Sequence, residues 1–89
     1  MDAYIATILW MATTFAPQGT LEANGQCLPV NNNNAAIYSL LGNRFGGSGG
    51  QTFCLPDLRP KRADGRPDDN WNGGPRAVIV VNGIYPSRP

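Results

Sequence analysis

The sequence predicts a mainly β fold, a small β domain with one short α-helix at about 34–42. Three observations carry this. Gly and Pro are frequent, 11 and 8 in 89 residues, so turns are many and helical runs short. Several short segments are β-branched or aromatic and are bounded by turn formers. One segment, beginning at Ala35, has apolar side chains at helical spacing.

The length fits a single domain, 1–89, with a polar loop at 60–76. A domain of this size buries only about 60–65% of the surface its unfolded chain exposes, which leaves one core marginal. Small domains then lean on disulfides, a metal or association with copies of themselves. With two cysteines and no histidine, self-association is the expected stabiliser. Net charge is +1, which gives no electrostatic reason for nucleic acid or an anionic membrane as partner. Met1-Asp2 lacks the basic start of a secretory signal. The apolar run Ala3–Met11 is far shorter than the roughly 20 residues that span a bilayer. A soluble protein made in the cytoplasm, without membrane insertion, is expected.

Tyr4 to Met11 reads as a strand, apolar on both alternating faces apart from Thr7 and so buried on both sides. Phe15-Ala16-Pro17-Gln18-Gly19 is a turn. Leu21-Glu22-Ala23 and Gln26-Cys27-Leu28 flank Asn24-Gly25, a dipeptide that predicts a type I′ hairpin because both central residues need φ > 0. Ala35 to Gly42 predicts the helix. One of the last asparagines of Asn31–Asn34 is its N-cap, Ile37, Leu40 and Leu41 form its apolar face, and Gly42 ends it. Phe45 to Gly50 is a flexible loop. Gln51 to Leu55 is a short strand stopped by Pro56. The polar stretch Arg59 to Asn72 is a solvated, mobile loop. Arg76 to Val81 is a continuous β-branched run, the pattern of a strand buried on both faces.

The order and spacing of several short strings resemble a known family. Phe15-Ala16-Pro17-x-Gly19, Asn24-Gly25-Gln26, Leu28-Pro29 and Ala36-Ile37-Tyr38-Ser39-Leu40-Leu41-Gly42 come first. Phe45-Gly46-Gly47, Thr52-Phe53-x-Leu55-Pro56-Asp57-Leu58-Arg59 and Asn82-Gly83-Ile84-Tyr85-Pro86-Ser87-Arg88 follow. As a series they resemble the phage tail-collar domain, shared with the microcystin-dependent protein family. The chain departs from it at Thr20, where relatives carry Trp, at Ala23-Asn24, where they carry Cys-Asp, and at Pro60 after Arg59. The stretch between Lys61 and Arg76 is also shorter than in many relatives. The resemblance implies a β-rich fold, commonly trimeric, in tail fibres or at the tail tip. It places the protein in the virion tail after synthesis in the host cytoplasm, with other tail or baseplate proteins as partners.

The chemistry-bearing residues are few. Cys27 and Cys54 sit among apolar residues. Buried free thiols fit a particle assembled in a reducing compartment, and a disulfide is the alternative. Two cysteines without histidine make a poor zinc site, so neither metal nor other cofactor is expected. Asp57 with Arg59 reads as a turn aspartate bonded to its own backbone. Asp64, Asp68 and Asp69 lack the spacing of a calcium loop. Arg59, Lys61, Arg62 and Arg66 form a basic cluster without interleaved aromatics, which argues against nucleic acid. With no histidine and no thiol beside a base, an enzyme is not expected.

Trp71 is the residue singled out, alone among Asp69, Asn70 and Asn72. Two readings stand. It anchors the loop on the body or on a neighbouring subunit, or it stacks on a host surface glycan, with Asn70, Asn72 and Asp69 giving hydrogen bonds. The expected function is accordingly a structural tail component assembling as a homotrimer, with receptor recognition through these four residues as the alternative.

Overall fold

A computed structural model describes residues 3–87. Over these residues the protein is mainly β, as its sequence predicts, and the described residues form five strands in two antiparallel sheets and one short helix.

The larger sheet is built around the β-branched run near the C-terminus. β1 (Ile8–Met11) and β2 (Thr20–Glu22) do not pair with each other. Both pair antiparallel with β5 (Arg76–Val80), one on each side, in the order β1-β5-β2. Ile8 and Leu21 both stand opposite Ile79. As the central strand, β5 buries Ala77, Val78, Ile79 and Val80 completely, as its unbroken apolar run foretells. Because strand side chains alternate, Ala77 and Ile79 point to one face and Val78 and Val80 to the other. The smaller sheet pairs β3 (Cys27–Pro29) with β4 (Thr52–Cys54).

The helix α1 (Ala35–Leu41) follows β3. Its entry is ordered by the first asparagine of the run: Asn31 Oδ1 accepts hydrogen bonds from the amides of Asn33 and Asn34 at 3.0 and 3.1 Å. Asn34 occupies the N-cap position without a capping side-chain bond. Its amide group donates instead to the Pro29 carbonyl at 2.9 Å. Ile37 buries itself with Phe53, Leu55, Ile79 and Ile5 in the main core. A smaller cluster of Trp71, Ala77 and Ala23 continues it, with Ile8 packed against both.

Outside the polar stretch at 60–76, four expectations differ from the structure. First, the strand predicted over 4–11 shortens to Ile8–Met11, and it is an edge strand rather than one buried on both sides. Ala6 is the reason. The Ala6 amide donates to the Val80 carbonyl (2.8 Å), while the Val80 amide donates to Thr7 (3.0 Å), so two residues oppose one. This is a β-bulge whose first residue has positive φ, here 76°. Beyond it Tyr4 bridges Ile84 in parallel, and at the far end of β1 Trp10 is 59% exposed.

Second, Asn24-Gly25 is not a hairpin turn. Gly25 has positive φ, but among the described residues Asn24 does not, so a type I′ turn cannot form. The chain turns a corner there: Ala23 still bonds to Ala77 of the large sheet, and Leu55 already bonds to Gln26 beside the small one. Third, the glycine loop is not a free segment. The Ser48 amide donates to the Thr52 carbonyl and hydroxyl at 3.2 and 3.0 Å, and Asn43 Nδ2 donates to the same carbonyl at 2.8 Å. Fourth, Cys27 and Cys54 form a disulfide rather than two free thiols. They stand directly opposite each other in the β3–β4 pair, and Cys27 is exposed rather than buried.

Candidate functional site

The polar stretch at 60–76 is organised rather than mobile. Lys61 bridges Pro67 in a small antiparallel pair. The Arg62 amide donates to the Arg66 carbonyl at 2.7 Å, and the Gly65 amide closes the turn onto Arg62 at 2.9 Å. The Asp68 amide donates to Pro60 at 2.8 Å, which seals the base of this hairpin.

Arg59 ties the loop to the body. Asp57 accepts from the Arg59 amide (3.2 Å) and Nε (2.9 Å) through Oδ1, and from its Nη2 through Oδ2 at 2.7 Å. The expected backbone-bonded turn aspartate is therefore present, with the arginine closing the ring. The second Nη of Arg59 donates to Asp69 across the loop. The hydrogen bonds from Arg59 hold the Asp57 carboxyl below the usual carboxylate range, against a smaller opposing effect of burial. The Arg59 guanidinium is raised in turn, chiefly by its bond to Asp57.

The three aspartates of the loop are not brought together. Asp64 accepts from the Arg66 amide, Asp69 pairs with Arg59, and Asp68 spreads its two oxygens over the amides of Asn70 and Asn72 at 2.9 and 3.0 Å. Among the described residues no group of three acidic, cysteine or histidine side chains is spaced to hold a metal ion.

Asp68 thereby shapes a single 3-10 turn, Trp71–Gly73. Trp71 and Asn72 both have positive φ, 53° and 55°. An aromatic residue in that region is strained. Burial offsets the strain: Trp71 is only 2% exposed and packs on Ala23 and Ala77, whose methyl groups leave room for the indole. Its Nε1 donates to Glu22, which is also paired with Arg76 at 3.1 Å. Trp10 stands edge-on to it, ring centroids 6.1 Å apart and planes at 89°. Of the four residues singled out, Asp69, Asn70 and Asn72 are exposed and Trp71 is not. In this chain Trp71 anchors the loop, and its ring face is not presented to solvent. The exposed aromatic beside it is Trp10, which sequence reasoning missed because alternation within an apolar run cannot say where the core ends.

A groove lies between α1 and the segment that follows β5. Its volume is about 480 Å³, and it is lined by Ser39, Leu40, Tyr85, Pro86 and Ser87. Ser39 and Tyr85 share a hydrogen bond of 2.7 Å between their hydroxyls.

A family model of the phage tail collar domain matches residues 6–62, well over half of the chain. The chain belongs to the phage tail collar domain family. The match is to the collar domain and does not extend to the microcystin-dependent label. No curated protein and no solved structure gives a significant match. As a tail collar protein the chain is a structural component of a phage tail, and the virion tail is where it acts. The matched segment holds β1, β2, β3, α1 and β4. Trp71 and β5 lie beyond it, so the collar protein closes its larger sheet with a strand from outside the matched segment.

Proposed function

We propose that this collar protein works by self-association, as a homotrimeric building block of a tail fibre, tail tip or baseplate, and that it carries no catalytic activity. The observation that supports this best is its apolar surface. Tyr4, Trp10, Phe15, Phe45, Ile84 and Tyr85 are each 45–66% exposed. Single exposed apolar residues are ordinary, but Tyr4 and Ile84 are exposed neighbours across a β-bridge. Size points the same way. The chain exposes 5779 Å² at 9.5 kDa, where a monomeric protein of that mass exposes roughly 5,000 Å². Burying part of this excess between copies would add to a core that is small by itself. The test is the pair of substitutions Tyr4→Ser and Ile84→Ser, each at an exposed position. They should lower the oligomer's stability to dilution while leaving the circular dichroism of the folded chain unchanged. An oligomer indifferent to both would place the interface elsewhere.

A second reading has one specific observation in its favour. Trp10 offers an exposed ring, held at its edge by the buried Trp71, on the side of the molecule where Trp71 anchors the loop bearing Asp69, Asn70 and Asn72. A rigid aromatic beside polar side chains suits the apolar face and hydroxyls of a sugar on a host surface. Glycan-array binding of the wild-type protein that Trp10→Ala abolishes would support receptor recognition. Wild-type binding that Trp10→Ala leaves unchanged would remove Trp10 from the site.

A further inference from the structure

The geometry points to Asn82 as a site of spontaneous covalent modification: it deamidates through a succinimide, and the reaction loosens the junction between the two ends of the chain. Asparagine followed by glycine is the pair most prone to this chemistry, because glycine has no side chain to hinder its backbone nitrogen. The chain has three such pairs, Asn24-Gly25, Asn72-Gly73 and Asn82-Gly83. The reaction needs two free groups. One is the glycine amide, which must lose its proton and attack. The other is the asparagine side chain, which must swing its Cγ onto that nitrogen.

The structure withholds these groups at two of the three pairs. At Asn24 both are engaged: Oδ1 accepts from the Gln26 amide at 3.2 Å, and the Gly25 amide donates to Pro56 at 3.3 Å. Asp57 also packs over Gly25 at 3.2 Å from the position a Cβ would take. At Asn72 the glycine is engaged: the Gly73 amide donates to Asn70 at 2.9 Å, inside the 3-10 turn. At Asn82 neither group has a hydrogen-bond partner among the described residues, and both Asn82 and Gly83 are exposed.

The reaction balances without a co-reactant other than water. The Gly83 nitrogen attacks Cγ of Asn82, the Cγ–N bond breaks, and ammonia leaves. Water then opens the five-membered imide at one of its two carbonyls. Opening at Cγ retains an ordinary peptide link and gives aspartate. Opening at the former backbone carbonyl gives isoaspartate, whose main chain runs through Cβ and is one carbon longer. Either product replaces a neutral amide by a carboxylate, so the formal net charge falls by one from +1.

The extra carbon would fall at a sensitive place. Just before Gly83, the amides of Val81 and Asn82 both donate to the Gly19 carbonyl, at 2.9 and 3.1 Å. Just after it, Ile84 donates to Ala3 and accepts from Ile5, at 2.9 and 2.8 Å. Gly83 itself lies so close to the Ala3 carbonyl that a Cβ there would collide with it. Lengthening the chain between these bonds shifts Ile84 out of register with the N-terminal segment, and with it the exposed pair Tyr4 and Ile84.

The experiment is ageing of the intact protein in mildly alkaline buffer at physiological temperature, beside a sample held in denaturant, followed by peptide mapping with isoaspartyl-methyltransferase labelling. In the folded protein Asn82 should convert several-fold faster than Asn24 and Asn72, with isoaspartate in the product. In denaturant the three rates should converge. The Asn82→Gln variant should lose the early acidic shift on isoelectric focusing. Conversion of Asn24 or Asn72 as fast as Asn82 in the folded state would overturn the proposal. So would an Asn82 amide that survives in the folded protein while it converts in denaturant.

Discussion

At the residue scale, Trp71 shows how a polar loop is held by one side chain. Its backbone sits in a region that disfavours aromatic residues, and its indole is almost wholly enclosed. Truncating a buried tryptophan costs about 3–5 kcal/mol. For 89 residues the whole stability is on the order of 4–13 kcal/mol, so Trp71→Ala should remove from about a quarter to all of it, as urea denaturation would read. Trp71→Phe keeps most of the packing but leaves Glu22 without the Nε1–H, and should cost about 1–3 kcal/mol. Equal losses for the two variants would mean that the hydrogen bond, not the burial, holds the loop. Asp57 gives a second prediction, with a sign. Its folded pKa lies below the ordinary 3.8, so the charged carboxylate is favoured by folding. The stability it contributes is present above that ordinary value and is lost as pH falls through the folded one. Wild type should therefore lose stability more steeply in this acid range than Asp57→Asn, measured by thermal melts at stepped pH. Parallel profiles would show that the Asp57–Arg59 bond adds nothing to stability.

At the element scale, the disulfide is the main covalent constraint. It closes a span of 27 residues that contains α1 and the glycine loop. For a loop of that length the chain-entropy relation gives about 3–4 kcal/mol. Reduction, or Cys54→Ser, should lower the melting temperature by roughly 10–30 °C, and the strand pair β3–β4 should lose amide-exchange protection before β5 does. An unchanged melt would show that β3 and β4 hold each other without it. Legibility in the sequence divides along the same line. β5 and α1 were readable because each is specified locally: an unbroken β-branched run in one case, apolar side chains at i, i+3 and i+4 in the other. The pairing of Cys27 with Cys54 was not readable, because it follows from a strand contact across that 27-residue span. Asn24-Gly25 misled for a similar reason. A local hairpin signal gave way to long-range pairing of β2 with β5 and of β3 with β4. For the site, the isolation of Trp71 in a polar stretch marked it as special. Its neighbours Ala23, Ala77 and Glu22 are distant in sequence, and they decide that it anchors the loop.

At the scale of the whole molecule, the chain is a collar-domain tail protein whose matched segment lacks the strand that organises its larger sheet. β1 and β2 meet only through β5, so the fold depends on a contact between the two ends of the sequence. Folding should be governed by that long-range closure rather than by α1. The same architecture leaves Tyr4, Ile84 and Tyr85 exposed next to the junction of the two ends, and a shared interface there would couple assembly to completion of the fold. Sedimentation velocity on the purified wild-type protein at micromolar concentration tests this most directly. A homotrimer would sediment as a species of three times the 9.5 kDa chain mass, and a stable, folded monomer over the same range would rule it out.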